Sequence, residues 1–125
     1  MVEEPTPEEA EVRDLAERHG FILERRGGWY RLHDNEIGAD VSTLGAPDRF
    51  RWNLAATRHY LEGEVWKSDR NLFREAEDIA GRRGWQLVND PERRMWIVQD
   101  AAGGRLAQGP FRTCVRWLRE QSVGG

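Results

Sequence analysis

The histidine and cysteine side chains that could support catalysis or bind a metal are few, and their spacing does not bring them together. The three histidines, His19, His33 and His59, have no second histidine or cysteine at metal-ligand spacing. We therefore expect no metal site. Cys114, the only cysteine, falls on the apolar face of a predicted helix. A thiol in that setting behaves as a small buried hydrophobe rather than as a nucleophile.

Carboxylates are abundant, but nearly all fall in predicted first turns or on exposed helix faces, as Glu75, Glu77 and Asp78 do. No pair of acids stands out within an apolar surround, which is the setting that acid–base catalysis favours. The pairs Gly27-Gly28 and Gly103-Gly104 indicate turns rather than a phosphate-binding loop. We therefore expect a non-catalytic protein that needs no cofactor.

The composition sets the size and class of the fold. The chain has 125 residues and a formal net charge of -3, and 38% of its residues are hydrophobic. That composition suits one ordinary domain or two very small ones. No apolar stretch approaches the roughly 20 residues that cross a bilayer, and no signal peptide opens the chain, so we expect no membrane partner. A lone cysteine without a secretory signal predicts a cytoplasmic location.

An internal repeat organises the chain. The segment 15–23 aligns with 79–87, and the segment 29–34 aligns with 95–100. In both copies a glycine ends a helical pattern, and an aromatic residue then opens an alternating one. The sequence predicts an α+β fold of two tandem, degenerate αβββα repeats, with antiparallel sheets that carry helices on one face. The predicted repeats are residues 1–63 and 64–125, either as separate units or merged into one globular unit.

Cap residues and turns predict where elements begin. Ser68 or Asp69 is the expected N-cap of the helix that opens the second copy, and Asp48 the expected N-cap of the helix that closes the first. Short third strands are expected near residues 39–43 and 105–108.

Several large side chains have no place in the predicted cores. Strand alternation and helix periodicity leave the following residues outside the core faces: Trp29, Trp52, His59, Val88, Met95 and Ile97. A sheet with helices on one face normally leaves its other face polar. We therefore expect apolar residues on that face to be covered by another protein surface. Either the two copies pack together over them, or they bind a cellular protein or a second copy of the chain, and both can hold at once. They are our predicted partner-binding residues.

The αβββα order resembles the double-stranded RNA-binding domain, a family that is often found in tandem. The resemblance covers nearly the whole chain in element order. It implies duplex nucleic-acid binding through the first hairpin loop and the start of the second helix of each copy. Arginines stand at the matching positions: Arg25, Arg26, Arg93, Arg94, Arg112 and Arg116, with Arg49 and Arg51 at the start of the first copy's second helix. The lysine cluster of that family is missing.

The distribution of charge argues against duplex binding. Residues 1–63 carry 8 basic and 13 acidic side chains, and residues 64–125 carry 11 basic and 9 acidic ones. Modules that bind phosphates usually present a concentrated basic face and a high isoelectric point, whereas the isoelectric point here is near 5.7. Duplex nucleic acid is therefore the alternative partner, with the second copy as the better candidate.

A second resemblance concerns the source of the chain. Three segments resemble small accessory proteins of actinobacterial phages: Gly20-Phe21-Ile22-Leu23, Gly28-Trp29-Tyr30-Arg31-Leu32-His33-Asp34 and Val115-Arg116-Trp117-Leu118. The resemblance implies a source and a size class and brings no active site with it. The expected function is that of a small phage or actinobacterial accessory protein that acts by binding a cellular protein.

Overall fold

The computed structural model describes residues 6–44 and 52–123, and their elements follow in two similar series. The first series is α1 (Pro7–Arg18), β1 (Phe21–Arg26), β2 (Trp29–Asp34), β3 (Ala39–Asp40) and α2 (Leu54–Glu62). The second series is α3 (Val65–Arg82), β4 (Gln86–Asp90), β5 (Met95–Gln99), β6 (Arg105–Gly109) and α4 (Phe111–Val123). The predicted α+β class and the two αβββα units are confirmed. Within the described ranges, no helix combines the length and the apolarity that a membrane span requires.

The local sequence explains how α1 begins and ends. The Thr6 hydroxyl accepts a hydrogen bond from the backbone N–H of Glu9 at 3.1 Å, and Pro7 occupies the first helical position, where it loses no helical hydrogen bond. Gly20 follows the helix end with φ +82°, and Gly84 follows α3 with φ +73°. Glycine takes this left-handed conformation without steric penalty, so in each unit the chain turns from a helix into a strand within a few residues.

Each sheet has three antiparallel strands, in the orders β1-β2-β3 and β4-β5-β6. The predicted third strand near residues 39–43 is shorter than expected, because β3 pairs only with His33 and Asp34. A 3-10 turn, Val41–Thr43, follows it, and an isolated bridge from Trp52 to Tyr30 continues that edge of β2. The third strand of the second sheet, β6, runs one residue beyond the range that the sequence predicted.

The two units have distinct apolar clusters. The buried members of the first are Val12, Ala16, Phe21, Leu23, Leu32, Val41, Tyr60 and Leu61. The buried members of the second are Ala39, Leu44, Ala76, Ala80, Trp96, Val98, Phe111, Cys114, Val115 and Leu118. Ala39 and Leu44 come from the first unit, and the Trp96 indole N–H donates to the Thr43 carbonyl at 2.9 Å. The end of the first unit's sheet is therefore part of the second unit's core.

The start of α3 differs from the prediction. Neither Ser68 nor Asp69 caps this helix, because it begins at Val65, directly after Glu64 with φ +57°. Asp69 lies within α3, its side chain is buried, and its carboxylate accepts a hydrogen bond from the Tyr60 hydroxyl at 2.6 Å. The helix α2 begins at Leu54 with Asn53 as its N-cap; Asp48, the residue that we expected in that role, lies outside the described residues.

Candidate functional site

Within the ranges 6–44 and 52–123, no group of three histidine, cysteine or acidic residues could hold a metal ion. The His19 ring packs against Trp66 with 4.8 Å between centroids. Burial raises the pKa of the Cys114 thiol to about 11, so the thiol stays protonated at neutral pH. It contacts the Trp96 carbonyl oxygen at 3.4 Å and serves as a packing residue.

Strand alternation gives the first sheet one face toward the helices and one face away from them. Phe21 packs edge-on against Tyr60 of α2, and the Tyr30 hydroxyl donates to Glu9 of α1 at 2.7 Å. This hydrogen bond, helped by burial, raises the pKa of Tyr30. The opposite face carries the side chains that alternate with these, beginning with Ile22, which is 51% exposed.

We call this outward-facing surface the Trp29 face, and it consists of Ile22, Glu24, Arg26, Trp29, Arg31, His33 and Asp40. The strand register places Ile22 opposite His33, and His33 opposite Asp40. The Arg31 guanidinium lies 5.2 Å from the centroid of the Trp29 ring, a cation–π distance. An exposed aliphatic side chain and a half-buried tryptophan thus share one sheet face.

Asp40 organises the charges of the Trp29 face. Its carboxylate lies 3.1 Å from His33 Nδ1 and 3.5 Å from Arg31 Nη1. Asp40 also neutralises part of the positive charge that Arg31 brings. The contacts fix Arg31 and His33 relative to the Trp29 ring, so the face is ordered before any partner arrives.

The second sheet arranges its outer face differently. Val88 is opposite Ile97, and Met95 is opposite Asp90 one pair further along the same face. The structure therefore brings Val88, Met95 and Ile97 together, as the alternation predicted. Val88 and Met95 are only half-buried, whereas Ile97 is 5% exposed. Ile97 thus offers almost no surface to a partner, and the expectation that it is accessible was wrong.

Trp52 and His59 lie away from both outer faces. Trp52 pairs with Tyr30, packs 5.1 Å from the Tyr60 ring and joins the rim of the first core. Our expectation that Trp52 lies outside the cores was therefore wrong, since the bridge to Tyr30 turns its side chain toward the helices. His59 is exposed on α2. Its partner-binding role stays a prediction.

Of the arginines expected to contact nucleic acid, four face carboxylates of this chain. Arg26 lies 2.6 Å from Glu24. The other three contacts are longer, at 3.8 to 3.9 Å: Arg25 with Glu9, Arg93 with Asp90, and Arg112 with Asp69. Arg94 takes φ +55° in the turn between β4 and β5, and Arg116 is exposed on α4. Arg49 and Arg51 lie outside the described residues.

Two residues that matter in the structure had no predicted role. Arg31 stacks on Trp29 and pairs with Asp40; the alternation of β2 places it on the same face as Trp29, and that pattern could have identified it. Arg70 is buried between the two units. An arginine near the start of a helix gives no sequence signal of such burial.

The comparisons with known proteins add no relative. No family model, curated protein or solved structure matches this chain. The candidate site therefore stands on its own geometry.

Proposed function

We propose that this chain is a non-catalytic binding protein that recognises a protein partner through the Trp29 face. One observation carries the proposal: Ile22, which is 51% exposed, and the half-buried Trp29 lie on the same sheet face, the one that points away from the helices. The resemblance of its segments to small phage proteins supports a role as a phage or actinobacterial accessory protein. The lone buried thiol of Cys114 supports a reducing compartment such as the cytoplasm.

The composition of the Trp29 face suits a protein partner. Tryptophan and arginine are the residues that most often dominate the energy of protein interfaces. Covering Ile22 and Trp29 removes apolar surface from water, at roughly 25 cal/mol for each Å². Because Asp40 holds Arg31 and His33 in place, little side-chain freedom is lost on binding.

The edge of the first sheet argues for recognition by the face rather than by strand addition. β1 is an edge strand, and unprotected edges invite a further strand. Here the Arg13 side chain of α1 donates to the Leu23 carbonyl at 3.0 Å. This hydrogen bond covers part of the edge with a charged side chain, so the partner is expected to lie across Ile22 and Trp29 instead.

Duplex nucleic acid is the competing function. The carboxylates beside Arg25, Arg26, Arg93 and Arg112 reduce the positive potential that a phosphate would meet. Phosphate contacts also make affinity fall steeply with salt, whereas an apolar interface is far less sensitive. Salt dependence therefore separates the two functions.

The test is affinity capture from an actinobacterial lysate treated with nuclease, at low and high salt. We expect wild-type protein to retain a specific partner at both salts. Ile22→Asp should retain at least about tenfold less, because it replaces the exposed aliphatic side chain of the Trp29 face with a charge. Val123→Asp is the matched control, since Val123 is 89% exposed at the end of α4.

The outcomes are distinct. Equal retention by wild type and Ile22→Asp, or retention of no specific protein from the nuclease-treated lysate, would contradict the proposal. Sedimentation of the purified chain shows whether the partner is a second copy, because a dimer formed through this face dissociates in the Ile22→Asp variant. Thermal unfolding of each variant confirms that it is folded.

A further inference from the structure

The opening helix of the second unit is longer than its counterpart, and the extra residues belong to the other unit. α3 has 18 residues, whereas α1 has 12. The repeat offset aligns α1 with residues 71–82, so the extension is Val65–Arg70. Trp66 packs on the first core, and Arg70 reaches the start of the first sheet. One unit thus contacts the other through an extra turn and a half of helix, in addition to the contacts of Ala39, Thr43 and Leu44 with the second unit.

The surface that receives this extension has three parts: a helix end, an aromatic ring and a carboxylate. The Arg70 guanidinium donates to both oxygens of Asp34 at 3.0 Å and to the His19 carbonyl at 2.5 Å. It also lies 4.6 Å from the centroid of the Phe21 ring and 4.9 Å from that of Trp66. One arginine therefore satisfies all three parts at once, and its Nε also lies 3.1 Å from a second carboxylate, Glu36 Oε2.

The second unit repeats these three parts but has Ala102 where the first unit has Glu36. Arg83 is the C-cap of α3 as His19 is the C-cap of α1. Trp85 is at the position that matches Phe21, and Asp100 follows β5 as Asp34 ends β2. Both carboxylates accept backbone hydrogen bonds from the turn that follows them. Asp34 Oδ1 accepts the N–H groups of the second and third residues that follow it. Asp100 Oδ1 accepts those of the second and fourth residues.

The two copies differ in what covers them. Asp34 is 0% exposed, and a Cβ on Gly20 would meet the Arg70 guanidinium at 3.4 Å. In the second unit Asp100 is only half-buried, and a Cβ on Gly84 would meet nothing within 4 Å. No arginine or lysine of residues 6–44 and 52–123 pairs with Asp100, although ion pairs are frequent elsewhere in those ranges.

We propose that the surface formed by Gly84, Trp85 and Asp100 docks a helix of a partner protein, one that carries an arginine with an aromatic residue one turn before it. The chemistry is that of Trp66 and Arg70, the pair that occupies the equivalent surface within this chain. This proposal concerns a different surface from the Trp29 face and does not rest on it.

Two further observations define the partner. A second copy carries the required arginine, but its Arg70 is buried against its own Asp34, and the position that matches Arg70 in the first repeat is Thr6; the folded second copy therefore has no such arginine to offer. Arg83 lies 5.5 Å from the centroid of the Trp85 ring and so covers part of it. The incoming guanidinium is consequently held chiefly by the Asp100 carboxylate and the Arg83 carbonyl.

The probe is a fluorescein-labelled peptide of residues 62–78 of this chain, kept helical by a hydrocarbon staple between positions 71 and 75. It is titrated into the intact protein by fluorescence anisotropy, and amide shifts of labelled protein map the contact. Asp100→Asn is the decisive variant, because an amide oxygen still accepts the hydrogen bonds of the turn but carries no charge. Asp78→Asn, exposed on α3, is the matched control.

We expect the shifts to cluster at Gly84, Trp85 and Asp100. Affinity should fall by about tenfold for Asp100→Asn and for a peptide with Arg70→Ala, because each removes a charge-assisted hydrogen bond. Asp78→Asn should bind as wild type does. The proposal is overturned if the peptide does not bind, if Asp100→Asn binds equally well, or if the shifts cluster at Gly20 and Asp34, where the peptide would be displacing the chain's own helix.

Discussion

Arg70 and Asp34 form a buried bidentate ion pair that joins the two repeats. Both contacts are 3.0 Å, and the side chains are 8% and 0% exposed. Asp34 also accepts backbone hydrogen bonds from Glu36 and Ile37, so its carboxylate is fully engaged. A pair with this geometry fixes the orientation of one unit on the other, because neither charge tolerates burial alone.

Replacing Arg70 should therefore be strongly destabilising. We expect Arg70→Ala to lower the free energy of unfolding by about 3–5 kcal/mol, since it leaves the Asp34 charge buried and unpaired. Arg74→Ala, at a mostly exposed arginine beside Glu36, should cost less than about 1 kcal/mol. Guanidinium denaturation measures both. Equal losses for the two variants would show that the buried pair does not hold the units together.

Two tryptophans of the predicted binding set should behave in opposite ways. Trp52 packs on Tyr60 and the first core, so Trp52→Ala should lower the free energy of unfolding by at least about 2 kcal/mol. Trp29 contacts Arg31 on the outer face, and Trp29→Ala should cost about 1 kcal/mol or less while weakening partner binding. Thermal unfolding compares them, and a greater loss for Trp29→Ala would place it in the core instead.

The Cys114 thiol should be inert in the folded protein. Burial raises its pKa to about 11, so only a very small fraction is thiolate at pH 8, and the side chain is inaccessible. Ellman's reagent at pH 8 should react at the rate of unfolding in buffer and immediately in strong denaturant. A fast stoichiometric reaction in native buffer would contradict this assignment.

Duplex nucleic acid should bind weakly or not at all. With carboxylates beside most of the candidate arginines, labelled duplex RNA and DNA should show no saturable anisotropy change at protein concentrations up to about 100 µM in physiological salt. Arg25→Ala/Arg26→Ala provides the comparison. Tight binding with a steep salt slope, lost in that double variant, would make the hairpin arginines the functional site.

Features encoded by local patterns could be predicted from the sequence. Gly20 and Gly84 marked equivalent helix ends, and the aromatic positions after them revealed the repeat, so the two αβββα units followed from spacing alone. Cys114 was placed on the apolar face of the last helix, and α4 buries it, because the spacing of apolar residues along a helix is local to the sequence.

Features that depend on contacts between distant residues could not be predicted. Aspartate is a residue type that favours N-cap positions, which is why Asp69 was predicted as the cap. In the structure Trp66 packs on the first core, and the helix extends back to Val65. The orientation of Trp52 depends on its bridge to Tyr30, which no local pattern encodes. The Trp29 face was identified only in part: strand alternation places Ile22, Trp29 and Arg31 on one face, whereas the position of Asp40 beside His33 depends on strand pairing.

The most direct test of the proposed function is the affinity of the purified, captured partner for wild-type protein and for Ile22→Asp, each measured by calorimetry at low and high salt. The Trp29 face predicts at least about tenfold weaker binding by Ile22→Asp. It also predicts less than about a threefold change for wild type as salt rises, since an apolar contact is weakly screened. Unchanged affinity in Ile22→Asp, together with a steep loss of binding in salt, would contradict the proposal and direct attention to the arginines.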